Sequence, residues 1–383
     1  MLIGIDASRA VAARPTGTEI YSRCLIQALL ALQDQRASFA RHCFRLYFRS
    51  VPPTEVFPDV GLCRAEVRVI PFPRLWTHVR LSWEMARRPP DVLFVPAHVL
   101  PIVRPRVSLV TVHDLGYLYF PEAHPWPQRL YLDLSTRWNA RAATHILADS
   151  DATRSDLVAR YGASPGKITV AYPGRDETLA PVRDPAEIEA AKARCGIAGD
   201  YFLYVGTLQP RKNLARIISA FAAFVALKPE MKPGTTLVLA GKRGWLYDNL
   251  FTQVRRMGLE ERVLFPGYVS DKDKATLMSG ALAFVFPSLY EGFGLPVIEA
   301  QSCGCPVIAS TTSSLPEVAG DAALLVDPCD IAAIADAMQR VAADLALRDG
   351  LVERGFANAR RFSWRACAQA VQGTIEQTGQ SMV

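Results

Sequence analysis

No apolar run in this 383-residue chain reaches the ~18 residues that a membrane-spanning helix needs. The richest stretch, Ala281 to Tyr290, is interrupted by Pro287 and Ser288, so no bilayer-crossing helix is expected. The N-terminus, MLIGIDASRA, has no basic segment ahead of a long apolar one, and Asp6 stands where that segment would lie. A cytoplasmic protein with its native start is therefore expected. Paired C-x-x-C knuckles are absent too. The eight cysteines (Cys24, Cys43, Cys63, Cys195, Cys303, Cys305, Cys329 and Cys367) are scattered, which argues against zinc and against a disulfide framework and leaves buried thiols. No G-x-G-x-x-G follows the first strand-like run, against an NAD or FAD enzyme. Lysine is almost missing from the first half: residues 1–175 hold 22 Lys and Arg, of which only Lys167 is a lysine, against 14 Asp and Glu.

What is present is ordinary globular composition, 50% hydrophobic and 21% charged, in a length that suggests two domains. Short apolar runs at Leu2–Ile5, Val92–Val95, Ser108–Val112, His145–Ala148 and Ile168–Ala171 read as buried parallel strands, alternating with amphipathic stretches such as Tyr21–Leu32. The pattern lapses through a polar, Pro-containing segment, then resumes at Tyr201–Val205, Thr236–Ala240, Val263–Phe265, Ala283–Phe286, Val307–Ala309 and Ala323–Val326. This predicts an α/β protein of two Rossmann-like doubly wound domains facing across a cleft. The expected boundaries are 1–175 for the first domain, 176–198 for a linker and 199–361 for the second, with the terminal helix, 362–383, packing back on the first.

Thr16-Gly17-Thr18-Glu19 opens a helix after the first strand, a turn that suits a phosphate and equally a plain connection. Gly206-Thr207-Leu208-Gln209-Pro210-Arg211-Lys212-Asn213 presents two cations and an amide where a strand ends and a helix begins, suiting a diphosphate neutralised without metal. The most specific segment is Ser288-Leu289-Tyr290-Glu291-Gly292-Phe293-Gly294-Leu295-Pro296-Val297-Ile298-Glu299-Ala300, a Gly-rich loop with Pro296 at the first helical position and Glu299 in the first turn. Both carboxylates then stand at one βα junction, able to accept hydrogen bonds from sugar hydroxyls. Asp149-Ser150-Asp151 reads as a helix N-cap rather than a metal-binding D-x-D. His42, His78, His98, His124 and His145 read as structural or surface residues, whereas His113, at a strand's carboxyl end, reads as functional. Arg64, Arg68, Arg74, Arg80, Arg87 and Arg88, among Phe72, Leu75, Trp76 and Trp83, suit an anionic membrane surface or a phosphorylated acceptor, the alternative being a solvated face with its aromatics turned inward.

The E-x7-E spacing around EGFGLP resembles the signature of retaining nucleotide-sugar glycosyltransferases of the GT-B fold, family GT4. Leu239-Ala240-Gly241, Phe265-Pro266-Gly267-Tyr268-Val269, Gly304-Cys305-Pro306-Val307-Ile308 and Leu325-Val326-Asp327-Pro328 stand in that family's order, as does His113-Asp114-Leu115 after the fourth N-terminal strand. The resemblance implies a C-terminal domain holding the donor: Arg211 and Lys212 on the phosphates, Glu299 on the ribose, Glu291 beside the sugar and β-phosphate. It implies further that backbone near Tyr268 and Val269 edges the base, that Gly241, Gly292, Phe293, Gly294 and Leu295 line the donor, that Gly17 caps the diphosphate and that His113 touches sugar or acceptor. Glu291, His113 and Lys212 are the implied catalytic set, with no metal and no cofactor. Many members carry Gly-Arg where this chain has Gly206-Thr207, which shifts the phosphate clamp onto the later cations.

Gly241-Lys242-Arg243-Gly244-Trp245 and the HDL element resemble bacterial mannosyl- and rhamnosyltransferases of surface polysaccharide synthesis. Transfer of mannose from GDP-mannose, with retention, to a glycan or lipid-linked oligosaccharide is expected, along with peripheral contact with the inner face of the cell membrane. A nucleotide-sugar 2-epimerase of the same fold and a non-catalytic nucleotide-sugar-binding partner subunit stay open, and no nucleic-acid module is present.

Overall fold

The computed structural model describes residues 1–12, 17–35, 42–57, 65–97, 99–227, 234–242, 244 and 248–380. Thr16, Cys63, Arg64, His98, Arg243, Trp245 and residues 381–383 lie outside them. The chain forms two compact units, Met1–Gly174 with Ser363–Val383, and Arg175–Phe362.

The first unit is built on a seven-stranded parallel sheet: β1 (Leu2–Asp6), β2 (Cys43–Phe48), β3 (Ala65–Val69), β4 (Val92–Val95), β5 (Val107–Val112), β6 (His145–Ala148) and β7 (Ile168–Val170), in the order β3-β2-β1-β4-β5-β6-β7. β2 and β3 are two strands more than the apolar runs predict. Each mixes charge with apolar residues, because this side of the sheet ends in a half-exposed edge; Arg45 of β2 pairs with Glu66 of β3 at 2.8 Å in direct register. His113 consequently follows the fifth strand of the unit rather than the fourth. The order reverses direction between β1 and β4, and in such sheets ligands bind outside the carboxyl ends of the strands at that point.

Four helices of this unit matter below: α1 (Gly17–Gln35), α2 (Ser82–Arg87), α3 (Trp126–Ala142) and α4 (Asp151–Tyr161). α1 buries Tyr21, Leu25, Leu29 and Leu32, a helical stripe, against Ile3, Ile5 and Phe94 on one sheet face. α2 extends a π-helical segment, Trp76–Leu81, whose Trp76 and Leu81 fill the opposite face with Leu93, Val95 and Val110. Ser150 caps α4, its Oγ accepting from the Thr153 amide at 3.1 Å, as the D-S-D reading expects.

In the second unit the 176–198 stretch carries α5 (Pro185–Arg194), which packs on α7 (Asp271–Gly280) and is tied to it by Lys272–Glu187 at 3.2 Å and by an Arg194–Asp273 pair. Between them in sequence, α6 (Leu214–Leu227) buries Ile217, Ile218 and Phe221. Its six-stranded parallel sheet, β8 (Tyr201–Val205), β9 (Thr236–Ala240), β10 (Val263–Gly267), β11 (Ala283–Phe286), β12 (Val307–Ser310) and β13 (Leu324–Val326), runs β10-β9-β8-β11-β12-β13. Direction reverses between β8 and β11. After β11 comes α8 (Leu295–Ser302), and after the second unit α9 (Trp364–Gln380), whose Cys367, Ala368, Val371 and Ile375 join the core under α1. No helix among the described residues is long and apolar enough to cross a membrane.

Candidate functional site

The two loops that flank the switch point of the second sheet are pinned together by charge. After β8 the chain turns through Gly206 to a 3-10 turn, Pro210–Lys212, and Asn213 adopts a left-handed conformation, φ 65°, to start α6. Asn213 is not presented to a ligand: its buried amide donates to the carbonyls of Pro287 at 2.9 Å and Pro328 at 2.6 Å, clamping this turn to the loops after β11 and β13. Arg211 and Lys212 thereby meet Glu291. Lys212 Nζ lies 2.6 Å from Glu291 Oε1, and Arg211 Nη1 donates to the Tyr290 carbonyl at 2.8 Å and reaches Glu291 Oε2 at 3.4 Å. Burial alone would push the Glu291 carboxyl pKa up; Lys212, then Arg211, outweigh it and hold the pKa below the usual carboxylate range. One ionised carboxylate thus faces two cations at the mouth of β8 and β11.

The Glu291 loop is held from behind by hydroxyls that the sequence reading did not single out. Ser313 Oγ accepts the Glu291 amide at 2.9 Å, Ser314 Oγ donates to the carbonyls of Glu291 and Phe293, and Ser310 Oγ donates to that of Ser288 at 2.7 Å. Five consecutive hydroxyl residues, Ser310 to Ser314, were the available signal. Gly292, Phe293 and Gly294 are buried; the Phe293 ring stands edge-on to Phe362, 5.5 Å between centroids, so its side chain serves the core.

One detail of the expected helix is corrected. Gly294, at φ 114°, caps α8, which therefore begins at Leu295; Pro296 is its second residue and Glu299 its fifth, outside the first turn. Glu299 points instead to Lys274 of α7, 3.2 Å away. Burial lowers the Lys274 pKa, but Glu299 more than restores it, so the ammonium is held charged.

Gly241 packs where loops nearly touch. At φ 143° it donates its amide to Gly267 O at 2.7 Å, and a Cβ there would lie 1.8 Å from Gly206 O. The ends of β8, β9 and β10 are thus drawn together, with Tyr268 67% exposed beyond β10, the Lys242 ammonium 5.5 Å over its ring, and Val269 partly exposed beside it.

In the first unit Gly17 opens α1, with no atom within 4 Å of where its Cβ would be. His113 is held at both nitrogens: Nδ1 lies 2.7 Å from Asp149 Oδ2 and Nε2 3.0 Å from the Pro96 carbonyl, with Tyr21 edge-on at 4.7 Å. Both partners are acceptors, so the ring carries two N–H groups. Burial works against the imidazolium; the Asp149 carboxylate outweighs it and raises the pKa above the ordinary histidine value. The stabilisation from the charged histidine is present below about pH 6.5 and fades as pH rises through the higher folded value, while burial, which raises the Asp149 carboxyl, limits the ionised pair on the acid side. Asp149, read from the sequence as part of a cap, is the partner that sequence alone did not find, because 36 residues separate it from His113. His113 and Asp114 border a cavity of about 270 Å³ lined also by Thr18, His124, Gln128 and Ser135, which places His124 beside it rather than on a bare surface. Among the described residues no group of His, Cys, Asp and Glu is arranged to hold a metal ion.

Two family models match the chain: "Glycosyl transferases group 1" over residues 192–357 and "Glycosyltransferase Family 4" over residues 15–179. The O-antigen chain mannosyltransferase B of Escherichia coli is 37% identical over 261 residues, covering 68% of each chain. The serotype-specific mannosyltransferase WbdA of Escherichia coli is 31% identical over 189 residues, 49% of this chain but only 23% of that longer protein. The crystal structure of Anabaena Alr3699/HepE in complex with UDP and glucose superposes with a TM-score of 0.71 over 98% of this chain and 99% of that one, at 21% identity, a likeness of fold.

Proposed function

We propose, from the premise that the chain belongs to glycosyltransferase family 4, group 1, that this enzyme transfers mannose from GDP-mannose, with retention, to a hydroxyl of a glycan or lipid-linked oligosaccharide in polysaccharide synthesis. The observation that carries the reading is the Arg211–Lys212–Glu291 cluster at the switch point of the second sheet. Its two cations at the strand ends suit a diphosphate, and the 37% identity to a mannosyltransferase favours the mannosyl donor.

In this reading the bond from the sugar C1 to the diphosphate oxygen breaks while the acceptor oxygen bonds C1 on the same face. The departing diphosphate takes the acceptor proton. Arg211 and Lys212 stabilise its growing charge, as fixed dipoles and cations do most effectively where charge develops. Glu291 orients the two cations and accepts from a sugar hydroxyl, while Glu299, Gly241 and the backbone at Tyr268 and Val269 hold the nucleoside. The acceptor belongs to the first unit, in the hydroxyl-lined cavity beside His113, where Thr18, Gln128 and Ser135 meet sugar oxygens and the His113 imidazolium, both of its N–H groups held by Asp149 and the Pro96 carbonyl, contributes its positive charge. No cofactor takes part, and the cations do the work a metal does elsewhere.

Thermal midpoints with GDP, UDP and dTDP in turn, all in EDTA, test the donor class, because a ligand bound only by the folded state raises the midpoint. GDP is expected to give a rise larger than either other nucleotide. A larger rise with UDP or dTDP would replace the donor, and a rise that appears only when a divalent cation is added back would overturn the metal-independent reading.

A further inference from the structure

Among the described residues, more than half of the exposed large apolar side chains fall between Phe72 and Leu134. They are not scattered there. On α3, Trp126, Leu130 and Leu134 are spaced four apart and form one outward stripe, while Thr136, Asn139 and Ala140 are buried. Trp83, 55% exposed, and Val79 stand out from α2 and the π-helical segment before it, and Ile102 and Val103 from the loop after β4.

Hydrogen bonds lay these three segments side by side. His78 Nε2 is 3.1 Å from Tyr131 Oη, joining the π-helical segment to α3. Ser82 Oγ accepts from the amides of Ile102 at 3.0 Å and Val103 at 3.3 Å, joining α2 to the loop, and Asn139 Oδ1 accepts from the Leu100 amide, joining the loop to α3.

The same segments are strongly basic. From Val67 to His113 there are seven arginines and only two acids, Glu84 and Asp91. Glu84 is buried and held by Arg68 and Arg80, and Asp91 accepts the Leu2 amide. Arg87 stacks on Trp83, 4.8 Å from its ring. Trp76, by contrast, is wholly buried and donates to Ile70 O, so the sequence's basic and aromatic stretch splits into an inward and an outward part.

We propose that this face docks on an anionic lipid bilayer, the α3 stripe and Trp83 entering the headgroup boundary and the arginines meeting lipid phosphates. A large apolar patch with tryptophan, on segments where arginines outnumber acids even with Glu122 and Asp133 of the α3 region counted, fits that partner better than a neutral protein surface. The inference goes beyond the donor reading and does not depend on it.

Co-sedimentation of the full chain with vesicles tests it. The protein is expected to pellet with equal parts of phosphatidylcholine and phosphatidylglycerol, and to stay in solution with phosphatidylcholine alone. Trp83→Ser with Leu130→Ser and Leu134→Ser should weaken binding about ten-fold or more, and Arg87→Gln with Arg88→Gln roughly five-fold per arginine. All five positions are exposed, so midpoint and nucleotide response should be unchanged. Equal pelleting of the serine variant, or no pelleting of the parent chain, would overturn the proposal. So would a dimer in solution that the serine variant splits, since the face would then be a self-interface.

Discussion

Glu291→Gln is expected to lower turnover about 10²- to 10³-fold, the range lost when one fixed electrostatic group of a transfer site is removed. The same change should lower the thermal midpoint and enlarge the rise produced by GDP. Glu291 is buried and ionised, and its removal leaves Lys212 and Arg211 without that carboxylate at 2.6 Å and 3.4 Å. Stripping one partner from a buried pair costs about 3 kcal/mol because the remaining charge is poorly compensated. A diphosphate supplies the missing negative charge, so the variant gains more from nucleotide than the parent does. The pH dependence has a definite sign. The folded pKa lies below the ordinary 4.5, so the stability from Glu291 is present at neutral pH and lost as pH falls through the folded value. Near-normal turnover in Glu291→Gln would remove Glu291 from the mechanism.

Gly241→Ala is expected to destabilise the second unit by about 3 kcal/mol or more, seen as a fall of about 6–12 °C in its midpoint. Two independent penalties act there. The backbone sits at φ 143°, which L side chains rarely adopt, and the new Cβ would meet Gly206 O at 1.8 Å and Gly206 C at 2.7 Å. Both are backbone atoms and cannot swing aside, so the loop that leads to Arg211 must move and nucleotide binding should fall with it. Gly17→Ala is the control: open space surrounds that position, and its midpoint should match the parent's. A Gly241→Ala midpoint equal to the parent's would show that the two loops are not held in contact.

How much of this was legible in the sequence depended on whether the signal was local. Five strands matched their apolar runs residue for residue, Val92–Val95, His145–Ala148, Tyr201–Val205, Thr236–Ala240 and Ala283–Phe286, because a strand buried on both faces is apolar nearly throughout. β2 and β3 escaped, since β3 is an edge strand that tolerates Glu66 and Arg68, and β2 beside it carries Arg45 to pair with Glu66. The grouping of Arg211, Lys212 and Glu291 was readable as two motifs at two strand ends, although their salt bridges were not, for they span 79 and 80 residues. Glu299 was displaced by a one-residue shift in the helix start, set by Gly294's left-handed cap. Asn213 looked like a ligand and is a clamp, and Asp149 looked like a cap and holds His113. In both cases the partner is distant in sequence, which spacing cannot reveal.

The central claim is that a nucleotide diphosphate binds where β8 and β11 part. Hydrogen exchange of the full chain with and without saturating GDP, in EDTA, tests it most directly. Protection is expected in residues 206–213 and 287–299, with the sheet core unchanged. Protection confined to other segments, or none at a concentration that raises the midpoint, would contradict the account.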